Sequence, residues 1–256
     1  MGKLDDRVTI ITGAAGGIGS AAARMFAAEG SRLMLVDLNE AALLGLAAEI
    51  GQDRAAYHAA DVSDAEATQG YVAATVARFG GVDIALLNAG IEGEFRPLID
   101  TPVENFDKVM AVNARGVWLG LKCVMPEIEK RGGGSIVITS STAGIRAIRN
   151  LSPYIASKHA VIGMMRAAAL EGAAAKIRVN TVNPSPIDTR MIASLEEMMG
   201  VAGKGSSSPL AAATPLQRYG EPAEVARLML FLASDYGSFC TGGVYMVDGG
   251  VSAGRL

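Results

Sequence analysis

VTIITGAAGGIGSAAARMFAAEGSRLMLVD, residues 8–37, holds one complete repeat of the architecture. A short β-branched run, VTIIT at 8–12, leads through a glycine-rich turn into SAAARMFAAEG, which is alanine-rich and closes on Gly30 where a helix C-cap would sit. A second apolar run, RLMLVD at 32–37, follows. Strand, helix, strand is a βαβ unit. Strands that are apolar almost throughout expect cover on both faces, as in a parallel sheet between two helical layers.

The rest of the chain repeats the pattern. Further apolar runs stand at AAYHAAD (55–61), IALLNAG (84–90), SIVITSS (135–141), IRVNTVNP (177–184) and VYMVDGG (244–250), with helical segments such as AALLGLAAEIG and EATQGYVAATVARFGG between them. The expected class is α/β: a single-domain, doubly wound (Rossmann) fold over 1–256, with a parallel seven-stranded sheet flanked by helices on both faces. No linker or composition break divides it. The only low-complexity stretch is GVAGKGSSSP, 200–209, which reads as a mobile insertion.

Composition narrows the function. Half of the 256 residues are hydrophobic but only 5% are aromatic, and 31 glycines against 9 prolines suit many tight turns between regular elements. A net charge of −3 without any lysine or arginine run gives no footprint for nucleic acid. Cys123 and Cys240 form no CxxC, and His58 and His159 lack ligand spacing, so no metal site or disulfide framework is expected. The N-terminus carries no apolar leader, and no uncharged apolar stretch of about 18 residues occurs, so the expectation is a cytoplasmic protein that does not span a membrane.

The turn TGAAGGIG, 12–19, stands between a strand and a helix. Gly13, Gly16, Gly17 and Gly19, with Ile18 among them, would let a pyrophosphate approach the helix N-terminus, whose unpaired N–H groups and dipole favour an anion. The plainer alternative is a tight connection that binds nothing. Asp37 ends the second strand, 18 residues after Gly19, where a carboxylate can accept hydrogen bonds from an adenosine ribose. The same charge would meet a 2′-phosphate, at a cost of about 4 kcal/mol per unit charge at 4 Å before screening, so the expected cofactor is NAD rather than NADP. Read only as a polar strand end, Asp37 would carry no such preference.

YIASK, 154–158, puts the phenol of Tyr154 and the ammonium of Lys158 on one helical face. A cation beside a phenol favours its phenolate, so the pair suits acid/base work; equally, it could be an amphipathic core tyrosine beside a surface lysine. His159 points away from Lys158, and Met191, Met198 and Met199 read as flexible apolar packing.

Taken together, TGAAGGIG, Asp37, NAG at 88–90, VNARG around Asn113, SS at 140–141, YIASK and VDGG resemble the short-chain dehydrogenase/reductase family over essentially the whole chain. Ser141 stands 13 residues before Tyr154, as the catalytic serine of that family does. The resemblance implies a catalytic set of Asn113, Ser141, Tyr154 and Lys158. Tyr154 would be the acid in ketone reduction and the base in alcohol oxidation, and Ser141 would bind the substrate oxygen. Lys158 would lower the tyrosine pKa and hold the nicotinamide ribose, while Asn113 would keep a water that links Lys158 to solvent. It also implies cofactor contacts at Asp61 and Val62, at Asn88, Ala89 and Gly90, and at Pro184, Ile187 and Thr189. Asp61 reads alternatively as a cap before the helix that starts near Asp64.

The chain departs from the family where NPSPIDT, 183–189, puts Ser185 in place of a glycine. Pro186 pushes Ser185 toward extended backbone, so a turn that needed positive φ there would be strained. Leu87 likewise replaces the first of two asparagines before AG. The segment 190–215 is expected to be a substrate lid. Arg146, Arg149 and Arg190 raise the possibility of an anionic substrate, against Glu92 and Glu94 in another loop at the cleft edge. The expected activity is hydride transfer between nicotinamide and a secondary alcohol or ketone of sugar, polyol, cyclic-diol or hydroxy-acid type. The expected assembly is a homotetramer or dimer. The rival readings are a 3-oxoacyl-thioester reductase, which Asp37 disfavours, and a non-catalytic NAD-binding regulator, which the intact catalytic set disfavours.

Overall fold

At the centre of the sheet, β1 (Val8–Thr12) pairs in parallel with β2 (Arg32–Asp37) on one side and β4 (Ile84–Leu87) on the other. β3 (Ala55–Ala59) lies beyond β2, and β5 (Gly134–Thr139), β6 (Ile177–Pro184) and β7 (Val244–Val247) lie beyond β4. The order is β3-β2-β1-β4-β5-β6-β7, every pair parallel. The computed structural model describes residues 2–201 and 208–254. The middle of the insertion expected at 200–209 lies outside the described residues.

Between the strands run α1 (Gly17–Ala28), α2 (Glu40–Ile50), α3 (Ala65–Phe79), α4 (Val103–Met110), α5 (Gly116–Lys130), α6 (Ser152–Gly172), α7 (Arg190–Met198), α8 (Pro209–Ala212) and α9 (Pro222–Ala233). Because β1 and β4 are buried along their whole length, apolar side chains leave both faces of the sheet. On one face Phe26, Leu43 and Met229 of α1, α2 and α9 close over Ile11, Leu35 and Val137. On the other, Tyr71, Val124 and Met165 of α3, α5 and α6 close over Ile10, Leu87 and Ile138. A fully buried side chain of this size contributes about 1.5–3 kcal/mol, so the sheet is fastened from both sides.

Four strands stop short of the expected runs, at Ala59, Leu87, Thr139 and Val247. Past these points the backbone leaves the ladder for partners in the loops; the Asn88 N–H, for example, donates to Thr12 Oγ1 at 2.9 Å. Those loops gather at the carboxyl edge. There the chain, having built outward from β1 to β3, starts again at β4, and open α/β sheets bind their ligands in the crevice so formed. Among the described residues no helix is long and apolar enough to cross a membrane.

Candidate active site

The glycine-rich turn is shaped by contacts that side chains would block. Gly13 takes φ +65°, and a Cβ there would stand 2.8 Å from Ala89 Cα. A Cβ on Gly19 would fall 2.1 Å from the Gly13 carbonyl oxygen. Gly16 caps α1 without any side-chain hydrogen bond, and the first turn of α1 carries no acidic residue. An uncapped helix start reached through glycine backbone suits an anionic group such as a pyrophosphate. Thr189 arrives at the same place from the far end of the sheet: its Cγ2 would lie 2.8 Å from a Cβ on Gly17.

Asp37 faces this turn. Its Oδ2 accepts the Ala15 N–H at 3.1 Å and its Oδ1 the Asn39 N–H at 3.1 Å, which holds the carboxylate at the end of β2 beside the turn. Asp61 is exposed at the end of the neighbouring strand, where its Oδ1 accepts both the N–H and the hydroxyl of Ser63, at 2.8 and 2.7 Å. The cap of α3 is Asp64, whose Oδ1 accepts the Ala67 N–H at 2.7 Å, so Asp61 closes only the turn that precedes the helix. Val62 is buried against Gly116 at the junction with α5.

Asn88 ties the two halves of the crevice together. Its Nδ2 donates to the carbonyls of Thr12 and Gly13 at 3.2 and 3.3 Å, and its Oδ1 accepts from Thr139 Oγ1 at 2.9 Å. Thr12 was not singled out in the sequence, yet its hydroxyl receives the N–H groups of both Asn88 and Ala89. Nothing in the sequence would have marked it beyond its place before Gly13.

Tyr154 lies in the first turn of α6 and Lys158 one turn later, on the same face. Lys158 is 4% exposed, its Nζ donates to the Thr139 carbonyl at 2.8 Å, and it lies 5.6 Å from the centroid of the Tyr154 ring. Burial pushes the Lys158 pKa down to about 8. Burial also pushes Tyr154 up to about 12; the Ser141 hydroxyl beside it pulls the other way, and the Glu92 carboxylate adds to the rise. The lysine was expected to lower the tyrosine pKa. In the free protein, loss of water around the phenol dominates, and Tyr154 holds its proton at neutral pH.

Asn113 is fully buried in a π-helical turn, Ala111–Arg115, that joins α4 to α5. Such wide turns often occur at functional sites. The Asn113 Oδ1 accepts the Ile91 N–H at 2.8 Å, and its Nδ2 donates to the Ile91 carbonyl at 2.8 Å and to Ser157 Oγ at 3.1 Å. The Ser157 hydroxyl in turn donates to the Tyr154 carbonyl at 2.8 Å, so one amide fixes both the loop after β4 and the start of α6. A Cβ on Gly90 would stand 3.3 Å from Asn113 Oδ1 and 3.4 Å from Lys158 Nζ, so glycine keeps open the space between amide and ammonium.

Ser141 follows β5 in extended backbone, its Oγ accepting the Ala143 N–H at 3.1 Å and its carbonyl the Asn183 Nδ2 at 2.9 Å. Ser185 is free of the strain that the missing glycine suggested. Its φ is not positive, and its N–H donates to the Val247 carbonyl at 3.1 Å, prolonging the alignment of Pro184 with β7. Ile187 is buried and pairs with Gly220. The arginines are dispersed: Arg146 donates to the Val251 carbonyl at 2.7 Å, while Arg149 and Arg190 are exposed. His159 is exposed and bonds its own helix at Ile155.

Over nearly its whole length the chain is similar to known proteins. Residues 13–252 match the family model described as Enoyl-(Acyl carrier protein) reductase. Levodione reductase of Leifsonia aquatica is 38% identical over 98% of this chain and 96% of its own. Cyclohexanol dehydrogenase of an Acinetobacter species is 37% identical over 96% of this chain and 95% of its own. A crystal structure of levodione reductase superposes with a TM-score of 0.94 at 39% identity, covering 98% of this chain and all of that one.

Proposed function

This chain belongs to the short-chain dehydrogenase/reductase family, and on that premise we propose that it is an NAD-dependent oxidoreductase of cyclic or polyhydroxylated secondary alcohols and their ketones. The observation that carries the reading is the meeting of Ser141, Tyr154 and buried Lys158 at the crevice that the glycine-rich turn borders. The turn and Asp37 fit a dinucleotide, with Gly13 to Gly19 and Thr189 at its phosphates and Asp37 at its ribose. When bound, the nicotinamide supplies or takes the hydride.

The protein does the rest. Ser141 donates a hydrogen bond to the substrate oxygen and Tyr154 gives that oxygen its proton in reduction, or removes it in oxidation. Lys158 holds positive charge near the phenol and at the cofactor ribose. Asn113, through Ile91 and Ser157, positions the loop and helix that carry these groups, and the gap above Gly90 is where a water would join the amide to Lys158. A lid is proposed near 190–215, of which residues 202–207 lie outside the described residues; its described part α7 is anchored by Glu196, which accepts from the Tyr219 hydroxyl. Assembly as a homotetramer or dimer is supported by the exposed Trp118 and Leu170 on α5 and α6.

The function is tested by following nicotinamide absorbance with NAD and a panel of secondary alcohols, then with NADH and the matching ketones. No turnover of any member would refute it. NAD is expected to exceed NADP by about tenfold or more in kcat/KM, and Asp37→Ser to narrow that gap by about tenfold, because the carboxylate repels a 2′-phosphate. Equal or better wild-type rates with NADPH would remove Asp37 from this role.

A pH profile follows from Lys158. Its folded pKa of about 8 lies below its ordinary 10.5, so it is charged below about pH 8 and loses charge as pH rises through that value. Ketone reduction, which also needs the Tyr154 proton retained to about pH 12, should hold its kcat/KM through the neutral range and fall above about pH 8. A flat reduction profile from pH 6 to 10 would contradict this assignment.

A further inference from the structure

Substrate choice is decided in part by the loop from β4 to α4, whose path is fixed at several points. Asn113 holds both backbone groups of Ile91, so the residue before Glu92 cannot swing away from the site. Gly93 takes φ +73°, and a Cβ there would stand 2.6 Å from Val109 Cγ2, which presses the loop onto α4. Farther on, the Glu94 N–H donates to Asn105 Oδ1 at 3.2 Å and the Arg96 N–H to the Asn150 carbonyl at 2.8 Å, just before α6 begins. The backbone at Glu92 is therefore fixed at the edge of the site, next to the Ile91 that Asn113 holds and two residues past Gly90, which borders Lys158 Nζ.

The two carboxylates of this loop differ. Glu94 pairs with Arg96 at 2.7 Å, whereas among the described residues no lysine or arginine pairs with Glu92. Glu92 is half-buried, and its negative charge is felt at the Tyr154 phenol. No arginine answers it from across the cleft: Arg146 is taken by the Val251 carbonyl, and Arg149 and Arg190 are exposed. The guanidinium groups that the sequence suggested are engaged elsewhere or exposed, and the charges beside Tyr154 are the Glu92 carboxylate and the Lys158 ammonium.

We propose that Glu92 is a specificity-determining residue that accepts a hydrogen bond from a second hydroxyl of the substrate, selecting neutral diols and polyols and rejecting carboxylated or phosphorylated analogues. This rests on Tyr154 being the acid/base of the preceding section. A half-buried carboxylate keeps its hydrogen bonding when a substrate hydroxyl replaces its water, and loses it when an apolar ring edge does. Sites built to bond a hydroxyl discriminate strongly against substrates that lack it. A second negative charge near the same point is disfavoured by about tenfold or more.

The test compares wild type, Glu92→Gln and Glu92→Leu with cyclohexanol and cyclohexane-1,2-diol in oxidation, and with cyclohexanone and 4-oxocyclohexanecarboxylate in reduction. NADH affinity is measured by fluorescence titration for each protein. The ratio of diol to monool kcat/KM should fall about 10- to 100-fold in Glu92→Leu, chiefly through KM. The ratio of carboxylated to parent ketone should rise about tenfold in both variants. Ratios within about twofold of wild type, with NADH binding retained, overturn the role of Glu92 while leaving the function standing. Absence of wild-type turnover with every substrate overturns both. Should Glu92→Leu fail to bind NADH, the carboxylate ratio in Glu92→Gln decides alone.

Discussion

A Tyr154→Phe protein is expected to fold, to bind NADH as wild type does, and to lose about 10³-fold in kcat for both reduction and oxidation. The substitution removes one oxygen from a half-buried ring and leaves its shape, so packing in the first turn of α6 is kept. The nearby Lys158 cation, 5.6 Å from the ring centroid, keeps its contact with an aromatic face. What disappears is the phenolic proton, retained at neutral pH beside Ser141. Ser141 remains to bind the substrate oxygen, so affinity for the ketone should change far less than turnover. Steady-state kinetics beside the NADH titration read both quantities; a variant with wild-type kcat would mean that the proton comes from elsewhere.

Lys158→Met is expected to separate activity from stability. Activity should fall about 10²- to 10³-fold, because the variant lacks both the charge near Tyr154 and the group that would hold the cofactor ribose. Stability should move the other way at neutral pH. Lys158 is almost fully buried and its pKa drops from 10.5 to about 8, so the unfolded chain binds the extra proton between those values. Stability of the wild type therefore rises with pH through that window and carries its full burden of a buried charge below about pH 8. The difference amounts to about 3 kcal/mol, and methionine, of similar length and without charge, escapes it. Losing the hydrogen bond to the Thr139 carbonyl offsets about 1–2 kcal/mol of that gain. Denaturant unfolding at pH 7 and pH 10 provides the measurement. The advantage of the variant should shrink as pH rises; an advantage that grows would show that the buried charge is held favourably.

Much of the fold was legible because its signals are local. VTIIT, RLMLVD and IALL bury every or nearly every side chain, as apolar runs without alternation require, and the helices between them end where Gly51 and Gly80 take positive φ. The glycine-rich turn was legible for a related reason: only glycine fits where a Cβ would meet Ala89 or the Gly13 carbonyl. Tyr154 and Lys158 were placed on one face by helical geometry alone. The strand ends were overrun because Asn88 to Gly90 beyond Leu87 and Asp248 to Gly250 beyond Val247 look no different until their hydrogen-bond partners, such as Thr12, are known.

Other features depend on residues far apart in the chain. Thr189 meets Gly17, Arg146 meets Val251, and Asn113 grips Ile91 and Ser157, and no spacing announces these pairs. Ser185 would be strained only in a turn that needed positive φ; the parallel neighbour β7 supplies a carbonyl to its N–H, and its φ is not positive.

The sequence by itself determined the doubly wound sheet, the phosphate-ready turn and the Tyr154–Lys158 pair, since apolar periodicity, glycine sterics and helical pitch act over a few residues. The tertiary structure alone decided the direction in which each member of that pair is shifted, Tyr154 up and Lys158 down, because desolvation and Coulomb fields depend on what every other element brings within a few ångströms.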